Sequence, residues 1–295
     1  STLISNQFFV EKMPFIMSTR LKLGISTCPN DTFAFHAILN KKVDLRGLKI
    51  EVSFYDIKEL NDRLFSEVLD IGKGSFYAAL RLSDKYRILS SGAALGYGVG
   101  PLLLAAKAGT TPESLKEPIT LCPGKYTTAN MLYELYYPNC GKAKQIVFSE
   151  IMPALQKKEA EFGVCIHEGR FTWKESGLAL VEDLGLRWEK ESGQPLPLGG
   201  IFASKKLSHK TVQAFTDVLK DSIHYGQAHR QETLSTMRKH AQEFSDAVLF
   251  SHVDLYVNES TIDLGNEGKM ALEVLFAKAK SAGLLPNNQP RLEFV

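Results

Sequence analysis

Short apolar runs recur along this chain, each feeding a polar loop and then a stretch of helical spacing, and hairpin signals are few. Strands are predicted at 21–25, 48–55, 70–75, 86–90, 102–106, 119–121, 145–148, 162–166, 178–184 and 201–203. Helical patterns fall at 33–41, 57–68, 76–82, 129–137, 151–160, 210–230, 231–242 and 268–282. Strand and helix in alternation argue for an α/β fold with parallel sheets. Two breakers divide the chain: the apolar crossing near 106, and Gln194-Pro195-Leu196-Pro197-Leu198-Gly199-Gly200 near 200. The expected organisation is a larger discontinuous α/β domain (20–106 and 200–295), a smaller one (107–199), and an N-terminal extension (1–19). A ligand cleft then lies between two lobes, closing about a hinge.

Composition narrows the partners. With 44% apolar and 23% charged residues and a formal net charge of +2, the chain lacks the basic surface that nucleic acid requires. Cys28, Cys122, Cys140 and Cys165 contain no CxxC pair, so neither a zinc site nor a disulfide framework is expected, and a reducing compartment follows. Residues 1–19 lack the apolar core of a secretory signal, and no later run reaches the length of a membrane span. The expectation is a cytoplasmic protein without membrane or nucleic-acid partners; nothing in the sequence specifies an oligomeric state.

In an open α/β sheet, ligands gather outside the carboxyl ends of the strands. The run 162–166 ends at His167, which this rule brings to the cleft; a histidine merely satisfied by a backbone carbonyl is the plain alternative. After the first strand, Ser26-Thr27-Cys28-Pro29-Asn30-Asp31-Thr32 leads into a helix that Asn30 or Asp31 can cap, leaving N–H donors for an anion. Ser26, Asn30 and Thr32, with Ser75 and Ser91 at later strand ends, are candidate ligand contacts; Asn30 and Thr32 could equally be caps, and Ser91 a strand end. Pro123-Gly124-Lys125-Tyr126-Thr127-Thr128 offers hydroxyl and backbone donors at a helix start, an arrangement suited to a carboxylate, so Thr127 and Thr128 join the set. Gly96-x-Gly98-x-Gly100 runs into Pro101 and a strand rather than a helix, which excludes a dinucleotide fingerprint and leaves a flexible or tightly packed crossing. Arg170 beside the histidine can form a structural ion pair or touch the substrate, and the structural role is the reading preferred here. The remaining histidines read as surface or packing residues, and Tyr256 as a core aromatic able to line a pocket.

Several of these segments in one order carry a resemblance. Ser26-Thr27-Cys28-Pro29-Asn30-Asp31-Thr32-Phe33, 91–101, 123–128, Ile166-His167-Glu168-Gly169-Arg170-Phe171-Thr172 and Leu196-Pro197-Leu198-Gly199 are similar to the 1,4-dihydroxy-6-naphthoate synthases of the futalosine route to menaquinone, over about 22–295. Gly169 stands where that family leads one to expect serine. The resemblance implies a two-lobed fold like type II periplasmic binding proteins, without their export. It also implies a lyase that cleaves cyclic dehypoxanthinyl futalosine, a small-molecule carboxylate, to 1,4-dihydroxy-6-naphthoate, with no metal or organic cofactor. His167 matches the family's proposed base, and an imidazole near its ordinary pKa of about 6.5 suits the task. The alternatives are the sibling chorismate dehydratase of the same pathway and a non-catalytic solute-binding protein.

Overall fold

The computed structural model describes residues 20–167, 169–241 and 245–295. One sheet holds β1 (Arg20–Ile25), β2 (Lys49–Phe54), β3 (Ile71–Ser75), β4 (Tyr86–Ile88), β5 (Ala94–Gly96) and a last strand, Leu196–Ser204. The other holds β6 (Leu102–Ala105), β7 (Ile119–Cys122), β8 (Lys142–Gln145), β9 (Phe162–Cys165) and β10 (Ala179–Asp183); Leu196–Ser204 is then β11. The first sheet runs β2-β1-β3-β11-β4, with β5 also on β11, and the second β10-β6-β9-β7-β8. This is the expected two-lobed α/β arrangement.

The sheets are not purely parallel. β1 pairs parallel with β2 and β3, and β7 with β8 and β9, as strand–helix alternation dictates. β11 runs antiparallel to β3, β4 and β5, and β6 antiparallel to β9 and β10, because these strands carry the chain between lobes. β6 therefore stands in the second sheet, and the first crossing lies between Gly96 and Leu102, ahead of the expected 106. The return begins with β11 at Leu196.

The core follows from strand patterning. Leu21, Leu23 and Ile25 of β1 and Ile71 of β3 are fully buried beneath Val212, Phe215, Leu219 and Ile223 of the helix His209–Ala228. A second cluster is continuous through both lobes, from Phe76 and Phe202 to Leu103, Phe162, Val164 and Trp188. A third packs Ile151 and Leu155 of the helix Phe148–Gln156 on the outer face of the second sheet.

The glycine-rich crossing is tightly packed rather than loose. A Cβ added to Gly100 would lie 2.2 Å from the Gly185 Cα and 2.6 Å from its nitrogen, so two backbones touch where the lobes join. Arg170 fastens this junction, donating to the Gly100 carbonyl at 2.7 Å and pairing with Asp183 at 2.9 Å, which fits its structural reading. Gly100→Ala must move backbone rather than a pliable side chain. It is expected to cost about 3 kcal/mol, the upper end of the usual overpacking range, read as a fall in the urea midpoint of unfolding.

Candidate functional site: a cleft between the lobes

Four strand ends open on one cavity of about 620 Å³, its mouth included. β1 delivers Ser26, β3 delivers Lys73 and Ser75, the loop after β7 delivers Thr127 and Thr128, and β9 delivers Ile166 and His167. Apolar walls come from Ile57, Val99, Leu198 and Tyr256, a mix of apolar lining and few polar groups that suits a small organic ligand. Among the expected contacts, Ser26, Asn30, Ser75, Thr127, Thr128 and His167 line the cavity.

Thr32 and Ser91 do not. The Thr32 hydroxyl turns back to the Cys28 and Pro29 carbonyls, and the Ser91 hydroxyl donates to the Ile262 carbonyl, so both are fully buried and spent on backbone. The first helix also differs from expectation. It begins at Pro29 with Cys28 as its N-cap, so neither Asn30 nor Asp31 is the cap. Asp31 places a buried carboxylate in that first turn, and a second anion there would meet like charge.

His167 sits just past β9 with φ +54°, the left-handed region that non-glycine residues seldom adopt and that is often held at functional sites. Its ring lies edge-on to Phe148 at 4.8 Å, stacks on His252 at 6.3 Å, and brings Nδ1 to 3.5 Å and Nε2 to 3.7 Å from the Cys28 Sγ. Desolvation by these walls pushes its pKa down to about 4; the Asp31 carboxylate opposes that shift and Lys73 adds to it. The ring is thus neutral at pH 7, further from its ordinary value than its sequence context suggests.

Three neighbours escaped the sequence reading. Asp31 and Lys73 form an ion pair in which both side chains are buried. Asp31 also accepts from the Ser26 hydroxyl at 2.6 Å and the Asn30 amide at 3.1 Å. The Asn30 side-chain Oδ1 accepts from His252 Nε2 at 3.0 Å, which fixes that ring as the Nε2–H tautomer. Burial foremost, then the charges of His167 and Lys73, hold the His252 pKa well below its ordinary value. A lysine inside Ile71-Gly72-Lys73-Gly74-Ser75, all buried, was the available sign of a buried charge; His252 one helical turn before Tyr256 was the sign of a shared face.

On the other lobe, Thr127 caps the helix Thr128–Tyr136 by accepting from the Asn130 N–H at 3.1 Å, while its hydroxyl donates to Gly124. The Thr128 hydroxyl donates to the Leu198 carbonyl at 2.9 Å. Both hydroxyl protons are committed, so what this helix start offers a ligand is the first-turn N–H groups of Thr128 and Ala129. Gly169 lies against Met152, whose sulfur would stand 3.3 Å from an added Cβ, so a serine there would crowd it. Among the described residues no group of three or more His, Cys, Asp or Glu side chains is placed to hold a metal ion, and no helix is long and apolar enough to cross a membrane.

A family model described as menaquinone biosynthesis matches residues 21–281. A 1,4-dihydroxy-6-naphthoate synthase of Thermus thermophilus is 40% identical over 271 residues, covering 92% of this chain and 98% of that one. The corresponding synthase of Streptomyces coelicolor is 34% identical, over 90% of this chain and 95% of that one. Among solved structures, a protein of Archaeoglobus fulgidus superposes with a TM-score of 0.85 at 30% identity, covering 90% of this chain and 98% of that one. The alkanesulfonate-binding protein of Xanthomonas axonopodis pv. citri reaches 0.69 at 13% identity, covering 91% and 95%, a likeness of periplasmic-binding-protein fold. The chain belongs to the menaquinone-biosynthesis family, with 1,4-dihydroxy-6-naphthoate synthases as its relatives there.

Proposed function

We propose that this chain is a cytoplasmic carbon–carbon lyase that converts cyclic dehypoxanthinyl futalosine to 1,4-dihydroxy-6-naphthoate, with His167 as general base. The observation that carries this reading is a neutral imidazole, held in a strained backbone at the end of β9, on the same cavity as donors from both lobes. Aromatisation of the product supplies the driving force. The protein has to remove a proton, hold the substrate carboxylate and steady the oxygen on which charge develops.

His167 performs the first task. At pH 7 essentially every ring has its lone pair available, and Asp31 favours the imidazolium that forms. The Thr128 and Ala129 N–H groups at a helix N-terminus perform the second. Apolar walls exclude water from the intermediate.

A base with so low a pKa sets the pH dependence. Protonation disables it, so the acid limb of kcat/KM is expected near pH 4 rather than 6.5, measured by initial rates from pH 3.5 to 8. Folding stability moves in the same direction. Between 6.5 and about 4 the unfolded chain binds a proton at this position that the folded chain does not, so stability falls as pH drops through that window.

Incubating the purified protein with cyclic dehypoxanthinyl futalosine, and following the naphthoate by absorbance and mass, tests the assignment. Formation of the naphthoate supports it. Binding without turnover would leave a solute-binding protein, and turnover of chorismate instead would point to the sibling dehydratase.

A further inference from the structure

The chain passes between the lobes at 96–102 and again at the start of β11. Contacts made by those two stretches persist however the lobes are set, because the backbone itself spans the gap. A contact between the lobes made by other elements lasts only while they stay together. One such contact joins Tyr126 of the smaller lobe to Phe65 and Arg81 of the larger.

The ring centroids of Tyr126 and Phe65 are 4.1 Å apart, with the planes inclined by 32°. The Arg81 guanidinium stands 5.7 Å from the Tyr126 ring, within cation–π range, and is anchored by donating to the Leu284 carbonyl at 2.8 Å. Each ring is fixed on its own lobe. Tyr126 rides on a loop in which the Gly124 N–H donates to Gln145 Oε1 at 3.0 Å, the Thr127 hydroxyl to the Gly124 carbonyl at 2.7 Å, and the Asn130 amide to the Lys125 carbonyl at 3.1 Å. Phe65 ends the helix Ile57–Phe65 and packs on the core. Rings held this way need little further ordering to meet, so their contact favours closure at small entropic cost.

The same two elements are walls of the cavity. The loop runs on into Thr127 and Thr128, and the helix starts at Ile57, all three on the lining, whereas Tyr126 and Phe65 lie outside it. Parting these walls to let a ligand through parts the rings.

We propose that Tyr126 and Phe65 form a latch that holds the lobes closed over the ligand, so that their separation sets the rate at which product leaves. The inference rests on the lyase reading for the identity of that product, and it adds control of release from outside the cavity. Loss of either ring shifts the population toward the open arrangement and shortens the stay of the ligand.

Stopped-flow displacement of 1,4-dihydroxy-6-naphthoate from the purified protein tests this. Tyr126→Ala is expected to speed dissociation about 3–10-fold, Phe65→Ala by a similar factor, and the two together no more than either alone, because one contact is lost once. Tyr126→Phe keeps the ring and stays within about twofold of wild type. Tyr126 is half-buried, so its variants keep their fold even if Phe65→Ala does not. A merely structural contact would lower the unfolding temperature and leave dissociation unmoved. Unchanged dissociation in Tyr126→Ala, a Tyr126→Phe variant as fast as the alanine, or single effects that multiply in the double variant overturns the latch and leaves the lyase standing. A wild type that does not bind the naphthoate brings down both.

Discussion

His167→Ala is expected to lower kcat by about 10²–10⁴-fold while affinity for 1,4-dihydroxy-6-naphthoate stays within about threefold of wild type. The split follows from the geometry. The ring reaches the cavity from a backbone fixed by β9, and the carboxylate site we propose lies elsewhere, at the start of the helix Thr128–Tyr136. Truncation removes the lone pair and leaves the anion site intact. Alanine also tolerates the φ of +54° no better than histidine, so the change relieves no strain that could offset the lost base. Single-turnover rates beside equilibrium titration measure both quantities. A variant with wild-type rate would remove His167 from the chemistry.

Asp31→Ala is expected to cost about 3–5 kcal/mol, a large share of the about 5–15 kcal/mol that holds an ordinary domain together. Asp31 is the acceptor for three donors at once, from Lys73, Ser26 and Asn30. Its loss leaves a buried ammonium without a counter-charge and two polar hydrogens without an acceptor. The loss also propagates, because Asn30 holds His252 and His252 stacks on His167. Urea unfolding should show the midpoint fall, and Lys73→Met placed on top should recover much of it. A midpoint unmoved by Asp31→Ala would mean that the pair is solvated and the cavity wetter than its burial indicates.

Much of this was legible in the sequence. β1, β2 and β9 announce themselves by apolar alternation or by a short apolar run with polar bounds, and the strand-end rule takes His167 to the cavity from such a run alone. Strand direction was not legible. β6 and β11 pair antiparallel with partners more than 50 residues away, and local periodicity carries no record of such pairings. Hydroxyls were over-read for a related reason. Ser91, Thr32, Thr127 and Thr128 look alike in sequence, yet each has its proton taken by a particular carbonyl that only the folded chain supplies. The charge of Lys73 was not legible as part of a site, because its partner lies 42 residues away. The pKa of His167 departs from its ordinary value because Phe148 and His252, from distant parts of the chain, desolvate it.

A crystal structure of the protein with 1,4-dihydroxy-6-naphthoate tests the central claim most directly. The expected complex has the carboxylate on the Thr128 and Ala129 N–H groups and the ring system within about 3 Å hydrogen-bond reach of His167. A naphthoate bound outside this cavity, or bound within it with His167 turned away behind other side chains, would contradict the account.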